Sequence, residues 1–463
     1  MGNFLMPVID FSGFAQGAAV ALSTSQGALM ASNSVSAWGQ GSLASIDIAV
    51  DNRFLAAPAG VWFEATDLSG FDLSEPANAD DYDPTVDGIF YFWTFDDAAN
   101  AVPVTNLRLP AEWKNLNKAY GKRVAHVFND PGTYAVTLWA VDRSGNFTTA
   151  SKSVVIADAD TVFPGNRTLI YHKAGTGFAE YPSANVYTNW DALATYWNAN
   201  RATPHRVFLA SDDTYDDIRI AGNGTNGDPM KSFFFTGANI RFQAIGGGAK
   251  PIIDLVTSGT MVRTDTDTIT QEVVIEGLHF QGGWNATKET GIRVGPFAFV
   301  AGANRDPVFG VNRCSFDGVG SVNVAAWASS GDNSPSSFIS ECEVSSYQDY
   351  GVYNNVVERG RIAMMGNRIH QHPDALSGGN ENGKLGFLNT HGAVRNEGSP
   401  YSYYGLNDVF SRGGWGAGAN DNATFRLHQF PSASKWRSNI DRLYCEGVMS
   451  IEDASGNTEQ PKE

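Results

Sequence analysis

The densest group of chemistry-bearing side chains in this chain lies between His370 and Trp415. It opens with His370, His372 and Asp374 in a His-Gln-His-Pro-Asp run and continues with His391, Arg395, Glu397, Tyr401, Tyr403, Tyr404 and Trp415. Histidine and tyrosine exchange protons with a bound group, and an arginine that neutralises a carboxylate makes a neighbouring carbon proton more acidic. His391, Arg395, Glu397, Tyr403 and Tyr404 are therefore the candidate catalytic set, with His391 and a tyrosine as base and acid and Arg395 as the carboxylate partner. Aromatic faces and polar side chains also hold sugar rings without cutting them. Tyr401, Trp415, His370, His372 and Asp374 are the candidate carbohydrate contacts; loop packing with passive sugar stacking is the favoured reading of His391, Arg395 and the tyrosines, and a satisfied surface cluster that of His370, His372 and Asp374. His370, His372 and Asp374 are metal-ligand types at alternate positions of an extended segment, but no third and fourth ligand accompanies them, so no metal is expected there.

Other acidic clusters carry less. Hydrolysis of a glycosidic bond needs two carboxyl groups about 5 to 9.5 Å apart. Asp212, Asp213, Asp216 and Asp217 are numerous but sit in a turn, where aspartate serves turn geometry. Asp80, Asp81 and Asp83 form the single stretch considered for Ca²⁺; without the 12-residue loop pattern a solvated acidic loop is favoured, and no other cofactor is expected. Zinc spacings, a phosphate loop and a Gly-x-Ser-x-Gly elbow are all missing from the sequence.

The elements that must position these groups follow from composition and pattern. The 463 residues are enough for two or three domains. Aromatic residues make up 12% and charged residues only 17%, which excludes a disordered chain. Lys and Arg number 32 against 49 Asp and Glu, a net charge of −17 that disfavours nucleic acid and anionic lipid as partners. No apolar run reaches the roughly 18 residues of a membrane span. Three zones are expected: an N-terminal attachment or flexible segment over 1–57, a β-sandwich over 58–158, and a strand stack over 159–463. The first zone is rich in Ala, Ser and Gly and has no Lys or Arg before Arg53, so it lacks the charged start of a secretory signal.

In the second zone, β-rich runs over Val61–Ala65, Ile89–Phe95 and Thr133–Val141 are separated by turn residues. Trp93-Thr94-Phe95-Asp96-Asp97, His126-Val127-Phe128 and Pro131-Gly132-Thr133-Tyr134-Ala135-Val136-Thr137-Leu138, followed by Asp142 to Asn146, resemble the PKD family of immunoglobulin-like domains. The resemblance implies an antiparallel sandwich that acts as a spacer or adhesion module.

The third zone opens on Asn189 as helix N-cap, with apolar helical spacing over Trp190–Trp197, a helix suited to sealing the end of a stack. Short strand motifs then recur at irregular intervals over Val274–Phe280, Gly310–Phe316, Phe338–Val344, Met365–Ile369, Leu406–Phe410 and Ile440–Cys445. Similar rungs joined by variable loops resemble the right-handed parallel β-helix of the pectate-lyase-like superfamily, although the Arg-x-Pro-x-x-Arg motif of pectate lyases is missing. Cys314 and Cys342 share a rung position and are expected to stack as buried small hydrophobes, with Cys445 as a candidate third member. The fold class is thus all-β. The order of zones resembles bacteriophage tailspikes and head spikes, which implies a homotrimer, attachment to virion structural proteins, a virion or extracellular location, and a cell-surface or capsular polysaccharide as partner. Two other classes fit the same pattern: a secreted polysaccharide lyase or glycosidase with a PKD accessory domain, and a bacterial surface adhesin.

Overall fold

The computed structural model of the chain describes residues 8–9, 22–23, 44–74, 84–101, 107, 111, 114–200, 202–218, 234–236, 239–254, 263–265, 272–281, 297–298, 308–318, 322–323, 336–345, 350–355, 361–370, 392–397, 401–410, 425–428, 439–442, 444–446, 449–452 and 458–459. Alternation of buried and exposed residues builds the sandwich. Along the strand Gly132–Asp142, Tyr134, Val136, Leu138 and Ala140 are buried and the residues between them are not. That strand belongs to an antiparallel sheet with Lys118–Tyr120, Ile89–Thr94 and Phe147–Ile156. The facing sheet pairs Ser45–Asn52, Ala59–Ser69 and Arg123–Phe128, also antiparallel. Trp93 lies wholly inside between them, its indole N–H donating to the Gly121 carbonyl at 2.8 Å. The sandwich thus begins at Ser45, inside the stretch expected to be an N-terminal segment.

Beyond Thr168 the described strands run parallel in sheets of ten, eight and seven strands, an arrangement compatible with a β-helix, except that Thr458–Glu459 pairs antiparallel with Met449–Glu452 at the edge of the seven-stranded sheet. In most rungs a five-residue strand of the ten-stranded sheet meets a three-residue strand of the eight-stranded sheet across a two-residue turn, as in Val308–Asn312 and Ser315–Asp317. The first turn residue has positive φ: Gly277 at 73°, Arg313 at 51°, Glu341 at 52°, Gly366 at 63° and Leu406 at 56°. A left-handed residue costs about 1–2 kcal/mol for a side chain bearing a Cβ. Each of these N–H groups donates to a carbonyl of the next rung at 2.8–3.0 Å, so the turn that is locally strained is also the one that ties rungs together. The second turn residues are Leu278, Cys314, Cys342, Asn367 and Asn407, all buried. Asn367 and Asn407 donate through Nδ2 to the Ile339 and Met364 carbonyls at 2.9 and 2.8 Å. Cys314 and Cys342 stack as expected, with the Cys314 N–H 3.4 Å from Cys342 Sγ. Cys445 is elsewhere, in a strand position that pairs with Val409 and not in the turn.

The helix Trp190–Asn200 closes the first rungs with Trp190, Leu193 and Trp197 in the core, and Asn189 Oδ1 accepts from the Ala192 N–H at 2.9 Å. Inside the stack, ranks such as Phe242, Ile275, Val311, Ile339, Met364 and Tyr404 run from rung to rung. The opposite face of the ten-stranded sheet is apolar as well, because the sandwich lies against it. Val274, Val308, Phe338, Ala363, Met365 and Tyr403 form one core with Phe63, Phe95 and Phe128 of the sandwich. Phe338 contacts Phe54 at a centroid distance of 5.1 Å and fills a slot that a Cβ on either Gly60 or Gly310 would close, at 2.6 and 2.5 Å from the ring. Arg241, fully buried, donates to Glu272 Oε1 at 2.7 Å and to the carbonyls of Ala57 and Ala56 at 2.5 and 2.7 Å, and Glu272 Oε2 accepts from the Leu55 N–H at 2.6 Å. The sandwich is a lateral brace on the stack. It does not stand off from it as a spacer.

Candidate functional site

The winding of the chain distributes the His370–Trp415 group over three sheets. His370 is in the eight-stranded sheet, Tyr401, Tyr403 and Tyr404 are in the ten-stranded sheet, and Arg395 and Glu397 are in the seven-stranded sheet. His372, Asp374, His391 and Trp415 lie outside the described residues, as do Asp80, Asp81 and Asp83.

Tyr403 and Tyr404 are buried, at 1% and 0% exposure, which places both in cores and away from any groove. Tyr404 belongs to the rank inside the stack. Tyr403 faces the sandwich and donates to Asp441 Oδ2 at 2.9 Å; burial, with the Asp441 charge adding to it, pushes its phenol well above the usual range. A proton donor must reach its substrate. Neither hydroxyl does so here, and the acid–base role expected for this pair gives way to packing. Asp441 also accepts from Arg442 Nε at 2.9 Å, while Arg442 donates to the Asn115 and Lys118 carbonyls at 2.9 and 2.5 Å. That cluster pins the sandwich to a late rung. His370 is half-buried, with Nε2 3.1 Å from the buried Asp408 Oδ1. Tyr401 pairs in register with Arg361.

The seven-stranded sheet brings into register polar residues that linear order separates. Val322, buried in the core of the stack, lies on a register line that runs from Phe297 through Val352, Val394 and Phe425 to Met449. The positions one and three residues further along each strand form two more register lines. They are Asn323, Tyr353, Arg395, Arg426 and Ser450 in one line and Asn355, Glu397, His428 and Glu452 in the next. Arg395 and Arg426 are thus register partners on adjacent rungs, and Glu397, His428 and Glu452 are register partners on three successive rungs. Rungs are about 4.8 Å apart, so the backbones of Glu397 and Glu452 are separated by about 9–10 Å.

Sequence reasoning found Arg395 and Glu397 and missed Tyr353, Arg426, His428 and Glu452. A signal was present: Val394-Arg395-Asn396-Glu397 and Phe425-Arg426-Leu427-His428 repeat an apolar-Arg-x-polar pattern one rung apart. The recurring strand motifs between Val274 and Cys445 belong to the other two sheets, so this repeat lies outside them.

The aspartate-rich turn is structural. Tyr171 donates to Asp217 Oδ2 at 2.5 Å, Tyr215 donates to the Tyr171 carbonyl at 2.7 Å, and Lys173 Nζ meets Asp216 at 2.7 Å. Burial, with the nearby aspartates, holds both phenols well above their ordinary range. Among the described residues no group of three His, Cys, Asp or Glu side chains is placed to hold a metal ion, and no helix is long and apolar enough to cross a membrane. In comparisons with known proteins, no family model, curated protein or solved structure matches the chain.

Proposed function

We propose that the chain is a virion-associated spike of right-handed parallel β-helix type, braced by a PKD-like sandwich, that recognises a host surface polysaccharide. The observation that carries this reading is the register of the seven-stranded sheet, which aligns Tyr353, Arg395 and Arg426 in one line and Asn355, Glu397, His428 and Glu452 in another. A repeating polymer suits a repeating surface. Guanidinium groups in adjacent rungs bind uronate or hydroxyl oxygens, and aromatic and amide side chains among them suit sugar rings. Assembly as a homotrimer and anchoring to virion structural proteins complete the proposal, with Ca²⁺ as its one candidate ion.

The test is retention of purified protein on a panel of acidic and neutral bacterial polysaccharides, with new reducing or unsaturated ends measured in parallel. Retention lost in both Arg395→Ala and Arg426→Ala supports the reading, and retention unchanged in both sinks it. A cleaving variant of the same reading has its own support: carboxylates two rungs apart approach the 6.5–9.5 Å separation of an inverting glycosidase. It predicts reducing ends without unsaturated ones, abolished by Glu397→Gln and Glu452→Gln separately. Unsaturated ends would instead indicate β-elimination and a lyase.

A further inference from the structure

The four-stranded sheet of the sandwich has a buried face, with Tyr91, Trp93, Val136 and Leu138 in the core, and the residues between them point the other way. Strand register sorts this outward face into rows. Phe90, Val141 and Phe147 form one row, Tyr120, Phe92, Trp139 and Thr149 the next, and Lys118, Thr94, Thr137 and Ser151 a third. The Phe92 ring lies 5.4 Å from Tyr120 and 5.3 Å from Trp139, and Phe90 lies 5.9 Å from Tyr120, so four rings adjoin as one strip. Phe92, 5% exposed, is its floor; Phe90, Tyr120 and Trp139 are half-buried, and Phe147 at the edge is 44% exposed. We propose that this strip is a platform for an uncharged oligosaccharide stretch of the host glycan, a second contact remote from the seven-stranded sheet; the proposal rests on the glycan-directed reading above.

The make-up of the face selects the ligand class. Exposed apolar patches mark binding surfaces, but surfaces that bind protein are depleted of serine. Here the aromatic rows run directly into hydroxyls, with Thr149 beside Trp139 and Thr137 Oγ1 3.1 Å from Ser151 Oγ. A pyranose is divided in the same way: its C–H face packs on an aromatic ring, and its hydroxyls donate to and accept from Thr and Ser. Charge agrees with this. In a chain of net charge −17, Lys118 is the one charged residue among the outward positions of these four strands. A highly charged ligand finds no row of complementary charge, and an uncharged sugar stretch needs none. The row from Tyr120 to Thr149 crosses three strand spacings, about 14 Å, which suits an extended chain and not a single ring. At its Tyr120 end Arg442 of the stack lies over the phenol ring at 5.3 Å, so the strip ends at the seam between sandwich and stack.

Isothermal titration calorimetry on the full chain tests this, with linear tetra- to hexasaccharides of glucose, mannose, galactose and N-acetylglucosamine as probes. At least one probe is expected to bind, weakened about tenfold or more by Trp139→Ala, which removes the largest ring of the strip. Phe147→Ser is the second variant, at an exposed edge position that spares the fold should the loss of the indole disturb it, and is expected to weaken the same probe. Val155→Ser is the control: Val155 is 67% exposed on the same face, two rows beyond the hydroxyls, and its loss should leave binding unchanged. The proposal is overturned if no probe binds, if binding is unchanged in both Trp139→Ala and Phe147→Ser, or if Val155→Ser weakens it as much as they do. Self-association of the chain in sedimentation, abolished by Phe147→Ser, would also overturn it by making the face a contact between copies. The two readings fail separately. Polysaccharide retention that depends on Arg395 and Arg426, with no oligosaccharide bound, leaves the spike and removes the platform. Oligosaccharide binding lost in the platform variants, with retention indifferent to Arg395 and Arg426, does the reverse.

Discussion

The ten-stranded and seven-stranded sheets wind through the same rungs, yet their second faces differ in kind. In the ten-stranded sheet Val274, Phe338, Ala363 and Tyr403 continue the apolar character of the core onto the other side, because a second domain covers it. In the seven-stranded sheet the register lines beside Val394 and Phe425 carry Arg395, Arg426, Glu397 and His428 instead. A parallel strand carries a record of what lies over it. The covered sheet is where disruption should cost stability, and the polar sheet is where it should cost recognition.

The largest expected effect is on the covered sheet. Arg241→Met leaves the buried Glu272 facing the sandwich with its partner removed, at a cost of about 3–5 kcal/mol, measured by urea unfolding. Phe338→Ala empties the slot between Gly60 and Gly310 and should cost about 3–5 kcal/mol. If the brace joins the two regions into one unit, that variant should also split a single calorimetric transition into two; a single unshifted transition would break the comparison. Tyr403→Phe removes one donor to Asp441 and should cost about 1–2 kcal/mol while polysaccharide retention is unchanged, which separates this tyrosine from the proposed face. Arg426→Ala should do the opposite, with stability within about 0.5 kcal/mol of wild type and retention lost.

A pH dependence sharpens the same contrast. His126 is fully buried in the sandwich, stacked on Phe95 at 4.2 Å, with Nε2 2.9 Å from Asp97 Oδ2. Burial pushes its folded-state pKa below the ordinary 6.5, despite the opposing pull of Asp97. The folded state therefore takes up the proton less readily than the unfolded chain. Stability is fully present above about pH 6.5 and declines as pH falls through that value towards the folded pKa. Thermal midpoints from pH 8 to 5, for the chain and for His126→Gln, check this; a wild-type midpoint flat to pH 5 would remove His126 from the account.

Much of the stack was legible because its signals are local and repeated. The rung motif, the paired turn residues Cys314 and Cys342, and Asn189 before Trp190 each belong to a few consecutive residues. The docking of the sandwich was not legible. Val274 and Ile275, or Tyr403 and Tyr404, are alike in type although one of each pair faces the core of the stack and the other the sandwich. Tyrosines destined for two cores were therefore read as groove residues. The strand Ser45–Asn52 was missed because it carries Asp47 and Asp51 and has a single fully buried residue, Ile48. The candidate site divided for a related reason: proximity in sequence within one rung means separation around the stack, and neighbours in space come from the next rung.

The lateral seating of the sandwich also has a mechanical meaning. Its contacts begin at Arg241 and Glu272 and continue through Asn312, Phe338, Arg361 and Tyr403 to Asn439 and Arg442. Tension applied between the sandwich and the far end of the stack would therefore load this seam in shear, with contacts on successive rungs strained together and not peeled open one after another.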